Sequence, residues 1–194
     1  MKVGYYKSEL LNEIREKAAA AQTVYDNKNV EKYVEVYKAL YDAIVKLENN
    51  KNAMNVIIPG STYVITNAEA SNKSLSINSV TKMVLCATSN VKSTMQHWVL
   101  ERAGEEDLFY IKNVRSNTYL GALPDGETMT ASETTGNVAY KVIPMGDGLM
   151  ALQCQNEDLK SLNYTGTKVI GWSHDGVMGS QWYITAVELN QTEI

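Results

Sequence analysis

The sequence predicts a mainly β protein with an N-terminal α piece: a three-repeat β-trefoil preceded by an antiparallel helical hairpin. Three observations predict it. The N-terminal quarter spaces its apolar residues with a helical period. The remainder alternates with a period of two, and that second part is one unit written three times. The implied division is 1–55 for the hairpin and 56–194 for the trefoil, with repeats at about 61–104, 105–146 and 147–189.

The first helix is expected to start near a Ser8 cap and run to about Val24, with Leu10, Leu11, Ile14, Ala18 and Ala21 on one face. Asp26-Asn27-Lys28-Asn29 breaks it, and Asn29 is placed to cap the next helix. Tyr33, Tyr37, Leu40, Ile44 and Leu47 then follow a 4, 3, 4, 3 spacing, the mark of a packing seam. Two helices bury little surface by themselves, so the hairpin is expected to dock on the β part or on a further partner. It resembles the short helical (FIVAR-like) modules that link domains in large bacterial surface and glycan-degrading proteins.

After Pro59-Gly60, β-branched residues and turn pairs such as Asp125-Gly126, Asp147-Gly148 and Asp175-Gly176 take over. The repeats open on Thr62–Asn67, Leu108–Asn113 and Leu149–Cys154. A polar turn and a strand-starting leucine follow in each: Leu75, Leu120 and Leu162. A short strand comes next, around Val84-Leu85, Met129-Thr130 and Val169-Ile170. Each repeat closes on an aromatic and an alternating strand: Trp98, Tyr140 and Trp182, with 42 residues between successive aromatics. Three units of four strands each describe a six-stranded barrel with six capping strands, which leaves no open sheet edge. The closing aromatics are expected in the shared core.

Gln96-His97-Trp98 matches the Gln-x-Trp signature that ends each repeat of the ricin B-type lectin family, and Phe109–Gly121 looks like that family's repeat opening. The second and third repeats depart from the signature, with Val138-Ala139-Tyr140 and Ser180-Gln181-Trp182. The chain therefore resembles a ricin B-type lectin. The resemblance implies one shallow sugar site per repeat: an acid after the leucine, a stacking aromatic about ten residues before the closing Trp, and amides beside that Trp. An aromatic ring covers the apolar face of a pyranose, and carboxylates or amides meet its hydroxyl rim. The first repeat has Ser76 and Thr88 at the first two positions and the second has Gly121 and Thr130. The third has Asn163 and Trp172, with His174, Asp175 and Gln181 nearby. Two expectations stay open for Trp172: it stacks on sugar, or it packs against the hairpin or a neighbouring domain.

The remaining composition narrows the partners. A net charge of −4, with Arg102 and Arg115 the only arginines of the β part, disfavours nucleic acid and anionic membranes. No apolar run is long enough to span a bilayer. Cys86 and Cys154 are expected as buried thiols or a single bridge, and no Cys/His spacing points to a metal or cofactor. Of two histidines, His97 is expected to point away from the core, and adjacent Ser173-His174-Asp175 cannot act as a proton relay. Glu105-Glu106-Asp107 reads as a solvated turn, so no catalytic residue is assigned. The expected function is a weak glycan-binding module, for galactosides or plant or host polysaccharides, in a secreted or surface-attached bacterial protein. The first residues lack the apolar core of a signal peptide, so the chain is read either as cytosolic or as cut from a longer precursor with Met1 added, and the second fits a module tethered to a catalytic domain. The alternative is a structural or protein-interaction trefoil with decayed sugar sites.

Overall fold

A computed structural model describes residues 8–48, 56–104, 107–123, 131–132, 138–155, 159–173 and 176–187. The chain divides into two compact units, one helical and one β, and each is described by itself.

In the helical unit, α1 (Ser8–Asp26) and α2 (Tyr33–Glu48) are joined by a turn and a 3-10 segment, Val30–Lys32. Lys28 makes the turn with φ 53°, and the Asn27 amide donates to Thr23 O at 3.1 Å. Asn29 precedes the 3-10 segment but makes no side-chain cap. The seam also differs from the expected one. Ala43 is buried and Tyr33, Val36, Leu40 and Leu47 are half-buried, whereas Tyr37 is 70% exposed and Ile44 also faces out. Both sets follow a 3/4 spacing, so periodicity alone does not choose between them. The small side chain of Ala43 at the middle of the seam lets the helices approach. Lys46 Nζ bonds Glu13 at 2.9 Å across the pair, and that partner lowers the Glu13 carboxyl from its ordinary value. An open groove of about 520 Å³ lies where Tyr25, Tyr33, Tyr37 and Leu40 meet Ala18 and Ala21.

The β unit has twelve strands, four per repeat: β1 (Thr62–Asn67), β2 (Lys73–Ile77), β3 (Val84–Thr88), β4 (Trp98–Arg102), β5 (Leu108–Asn113), β6 (Tyr119–Leu120), β7 (Ala131–Ser132), β8 (Tyr140–Gly146), β9 (Leu149–Cys154), β10 (Ser161–Tyr164), β11 (Val169–Trp172) and β12 (Gln181–Ala186). Six of them close a ring of antiparallel pairs, β1-β4-β5-β8-β9-β12 and back to β1. The other six form hairpins, β2-β3, β6-β7 and β10-β11, each attached to the first strand of its repeat. The fold is a three-repeat β-trefoil. Met129-Thr130 and the Asp125-Gly126 turn lie outside the described residues.

Threefold register is written into the core. Trp98, Tyr140 and Trp182 sit opposite Tyr63, Phe109 and Met150 on one side, and opposite Asn113, Cys154 and Asn67 on the other. All three closing aromatics are fully buried. Trp98 Nε1 donates to Leu75 O and Trp182 Nε1 to Leu162 O, both at 2.9 Å. The Tyr140 hydroxyl donates to Gly121 O at 2.5 Å, one residue further along, because a phenol reaches along its ring axis. Burial, then the neighbouring Cys154 thiol, holds that phenol well above its ordinary pKa. No disulfide joins Cys86 and Cys154.

Between repeats, buried asparagines tie two of the opening strands, β1 and β5, to the closing turn before them. Asn67 Nδ2 donates to Gly179 O at 2.9 Å, and its Oδ1 accepts from Ala70 N. Asn113 Nδ2 donates to Met95 O at 2.9 Å, and its Oδ1 accepts from Arg115 N. Cys154 holds the third such position, at the end of β9.

Candidate functional site

Trp172 ends β11, 42% exposed, opposite Ser161 of β10. Asn163 lies two residues further along β10, opposite Ile170, so strand alternation puts Asn163 and Trp172 on the same face of the hairpin. The structure thus brings together the aromatic and the amide expected of the third repeat. Asn163 is only 6% exposed, and its Nδ2 donates to Ser180 Oγ at 2.8 Å. That bond makes it a strut between β10 and the 3-10 turn Met178–Ser180. Gln181 opens β12, and its Nε2 donates to Gly176 O at 3.3 Å, which joins it to the turn after Trp172. His174 and Asp175 lie outside the described residues.

The first repeat is built on the same plan without the aromatic. Leu75 pairs with Cys86 as Leu162 does with Gly171, so Ala87, opposite Ser74, holds the place of Trp172. Thr88, the residue ten before Trp98, lies opposite Lys73 on the other face, with Lys73 Nζ 3.3 Å from its hydroxyl. Ser76 matches Asn163, is buried, and donates to Met95 O at 3.4 Å. The Gln of the Gln-x-Trp signature is a loop clamp: Gln96 Nε2 donates to Thr88 O and its Oε1 accepts from Asn90 N, both at 2.8 Å. His97 departs from expectation. It is 7% exposed, with Nε2 2.8 Å from Val91 O, because the 90–93 loop folds back over it. Gly121 of the second repeat accepts the Tyr140 hydroxyl, and Thr130 lies outside the described residues.

One residue near the third-repeat site carried no mark in its own repeat. Glu69 follows β1 in the first repeat, yet its Oε2 lies 3.2 Å from where a Cβ on Gly179 would sit. Asn163 Nδ2 lies 3.0 Å from the same point. The only signal available in the sequence was its place two residues after Asn67, in the loop that crosses to the previous repeat. Among the described residues no group of three or more His, Cys, Asp or Glu side chains is placed to hold a metal ion. Also among them, no helix is long and apolar enough to cross a membrane.

Known structures can be set beside this geometry. A designed threefold-symmetric protein, ThreeFoil, superposes with a TM-score of 0.57 and 20% identity over 64% of this chain and 97% of its own. The Rhizoctonia solani agglutinin gives a TM-score of 0.59 and 19% identity over 68% of this chain and 99% of its own. The β unit has their fold. A third match is the Polyporus squamosus lectin, solved with the epitope Neu5Aca2-6Galb1-4GlcNAc. It gives a TM-score of 0.57 and 20% identity, covering 66% of this chain and 49% of that one. No family model matches the sequence, and no curated protein does.

Proposed function

We propose that the chain is a non-catalytic carbohydrate-binding, lectin-like module with one working site, in the third repeat. We further propose that it belongs to a larger secreted or surface-attached bacterial protein that degrades glycans. One observation carries the proposal: a large aromatic, Trp172, is exposed at the end of β11, where the first repeat has only the small side chain of Ala87. A ring in that place covers the apolar face of a pyranose, and the polar loops around it meet hydroxyls. The shared fold with lectins, one of them solved with a galactose-containing glycan, supports the same class of ligand.

A single shallow site implies weak affinity, a Kd of roughly 0.1 to 10 mM, or about −3 to −5 kcal/mol. Such affinity suffices when a tethered enzyme already holds the module near its glycan. A glycan array followed by calorimetry tests this. Binding to galactosides or plant or host polysaccharides is expected, abolished by Trp172→Ala with the melting temperature retained. A well-folded sample that binds no glycan overturns it. The loss of the aromatic from the first repeat favours a second function, a structural or protein-interaction trefoil, and that negative outcome would select it.

A further inference from the structure

The third repeat lacks the carboxylate that its sugar site needs, since Asn163 stands after Leu162 and is spent as a strut. We propose that Glu69, carried in from the first repeat, is the hydroxyl acceptor of that site, which is therefore assembled from two repeats and takes a neutral sugar.

The placement of Glu69 is fixed from both sides. Asn67 Nδ2 donates to Gly179 O and Ala68 N donates to Gln181 O, both at 2.9 Å, so the loop after β1 is tied down onto the closing turn of the third repeat. Glycine at 179 lets these groups pack close against the turn. A Cβ there would meet Tyr164 O at 2.8 Å, Asn163 Nδ2 at 3.0 Å and Glu69 Oε2 at 3.2 Å. The carboxylate and the amide thus converge on one small volume. Glu69 is itself exposed, and among the described residues it makes no hydrogen bond or ion pair. It stands ready for an outside donor.

The distance to the aromatic suits one sugar ring. Trp172 and Asn163 are on one face, with Asn163 two residues past the partner of Trp172, a span of about 7 Å along a strand. A pyranose stacked on Trp172 would point its hydroxyl rim at the Asn163–Glu69 corner. An ionised carboxylate only accepts, so it selects hydroxyl donors and repels a sialic or uronic acid in the same place. The threefold comparison isolates this corner. Glu69 comes two residues after Asn67; the corresponding residues are Arg115 after Asn113 and Asn156 after Cys154. The acid reaches only the site that has the tryptophan.

This inference rests on the glycan-binding function proposed above, and the experiment separates the two. The intact chain, Glu69→Gln, Glu69→Ala and Trp172→Ala are applied to an array of neutral galactose-, glucose- and mannose-terminated oligosaccharides and their sialylated or uronate-terminated counterparts. Calorimetry follows on the best binder and on its singly deoxygenated analogues. The wild type is expected to prefer neutral termini. Glu69→Gln should weaken binding about tenfold with an unchanged melting temperature, as loss of a charge-assisted hydrogen bond does. Removing one particular hydroxyl from the sugar should hurt the wild type and leave Glu69→Gln indifferent. If both Glu69 variants bind within twofold of wild type while Trp172→Ala abolishes binding, the role of Glu69 is overturned and the glycan site stands. If the folded wild type binds no array sugar, both fall.

Discussion

Trp98→Ala is the most direct test of the threefold core. The indole is fully buried, lies opposite Tyr63 and Asn113, and donates to Leu75 O. Burying a side chain of this size removes roughly 150 to 250 Å² from water, worth about 4 to 6 kcal/mol at 25 cal/mol per Å² as an upper bound. Measured truncations of buried aromatics cost about 3 to 5 kcal/mol, and the orphaned Leu75 carbonyl falls within that range. For a domain of this size, ~1 kcal/mol moves the midpoint by about 2 to 4 °C, so a fall of roughly 10 to 15 °C is expected. Total stability of such domains is only about 5 to 15 kcal/mol, so a partial repair belongs in the series. Trp98→Phe keeps most of the volume, loses the donor, and should cost about 1 to 3 kcal/mol. Urea denaturation followed by circular dichroism, with constant m, measures both variants. Two melts within a degree of wild type would refute the placement of Trp98.

Other expectations follow from the same contacts. Asn67→Ala leaves Gly179 O and Ala70 N without their partner, so it should destabilise by about 1 to 3 kcal/mol in urea, whereas Asn67→Asp should lose less of the turn. Gly179→Ala drives a Cβ to 2.8 Å from Tyr164 O; calorimetry should show weakened sugar binding together with a lower melting temperature. Burial pushes the Cys86 thiol up to about 12 from an ordinary 9.0. Between those values the unfolded chain releases a proton that the folded chain keeps, so stability is fully present below pH 9 and declines as pH rises through this window. Melting curves from pH 7 to 11 should show that decline, shallower in Cys86→Ala, and thiol reagents at pH 8 should label Cys86 only on unfolding.

What the sequence made legible was whatever depends on local pattern. Period-two alternation and the 42-residue spacing place Trp98, Tyr140 and Trp182 at equivalent core positions, because a buried aromatic needs only its own strand to position it. The helix seam was less legible. Tyr37 with Ile44 and Val36 with Ala43 are equally periodic choices, and close approach at a small residue decides between them. His97 reads as a variable position, yet a loop hydrogen bond through Val91 O buries it. Contacts between repeats were the least legible. Asn67 to Gly179 spans 112 residues, and Glu69 acquires its neighbours only through that crossing.

That crossing also explains how a threefold fold comes to hold an asymmetric site. The closing aromatics are fully buried in one shared core, so each can be replaced only by a residue of similar size that still finds a carbonyl, as Tyr140 does with Gly121 O. The loops carry no such constraint. Two closing turns are capped by the opening strand of the next repeat: Asn113 caps the turn of the first, Asn67 that of the third. A sugar site at such a turn draws residues from two repeats, so a functional pair need not lie within one copy. Trp172 comes from the third and Glu69 from the first. Substituting Ala87 by Trp in the first repeat would place an aromatic at the position of Trp172, but there Arg115, two residues after Asn113, stands in place of the acid. It should therefore fail to create a second neutral-sugar site, whereas Ala87→Trp with Arg115→Glu should create one. Calorimetric stoichiometry distinguishes the two: one site per chain for the single variant, two for the double. A second site in the single variant would show that stacking alone is sufficient.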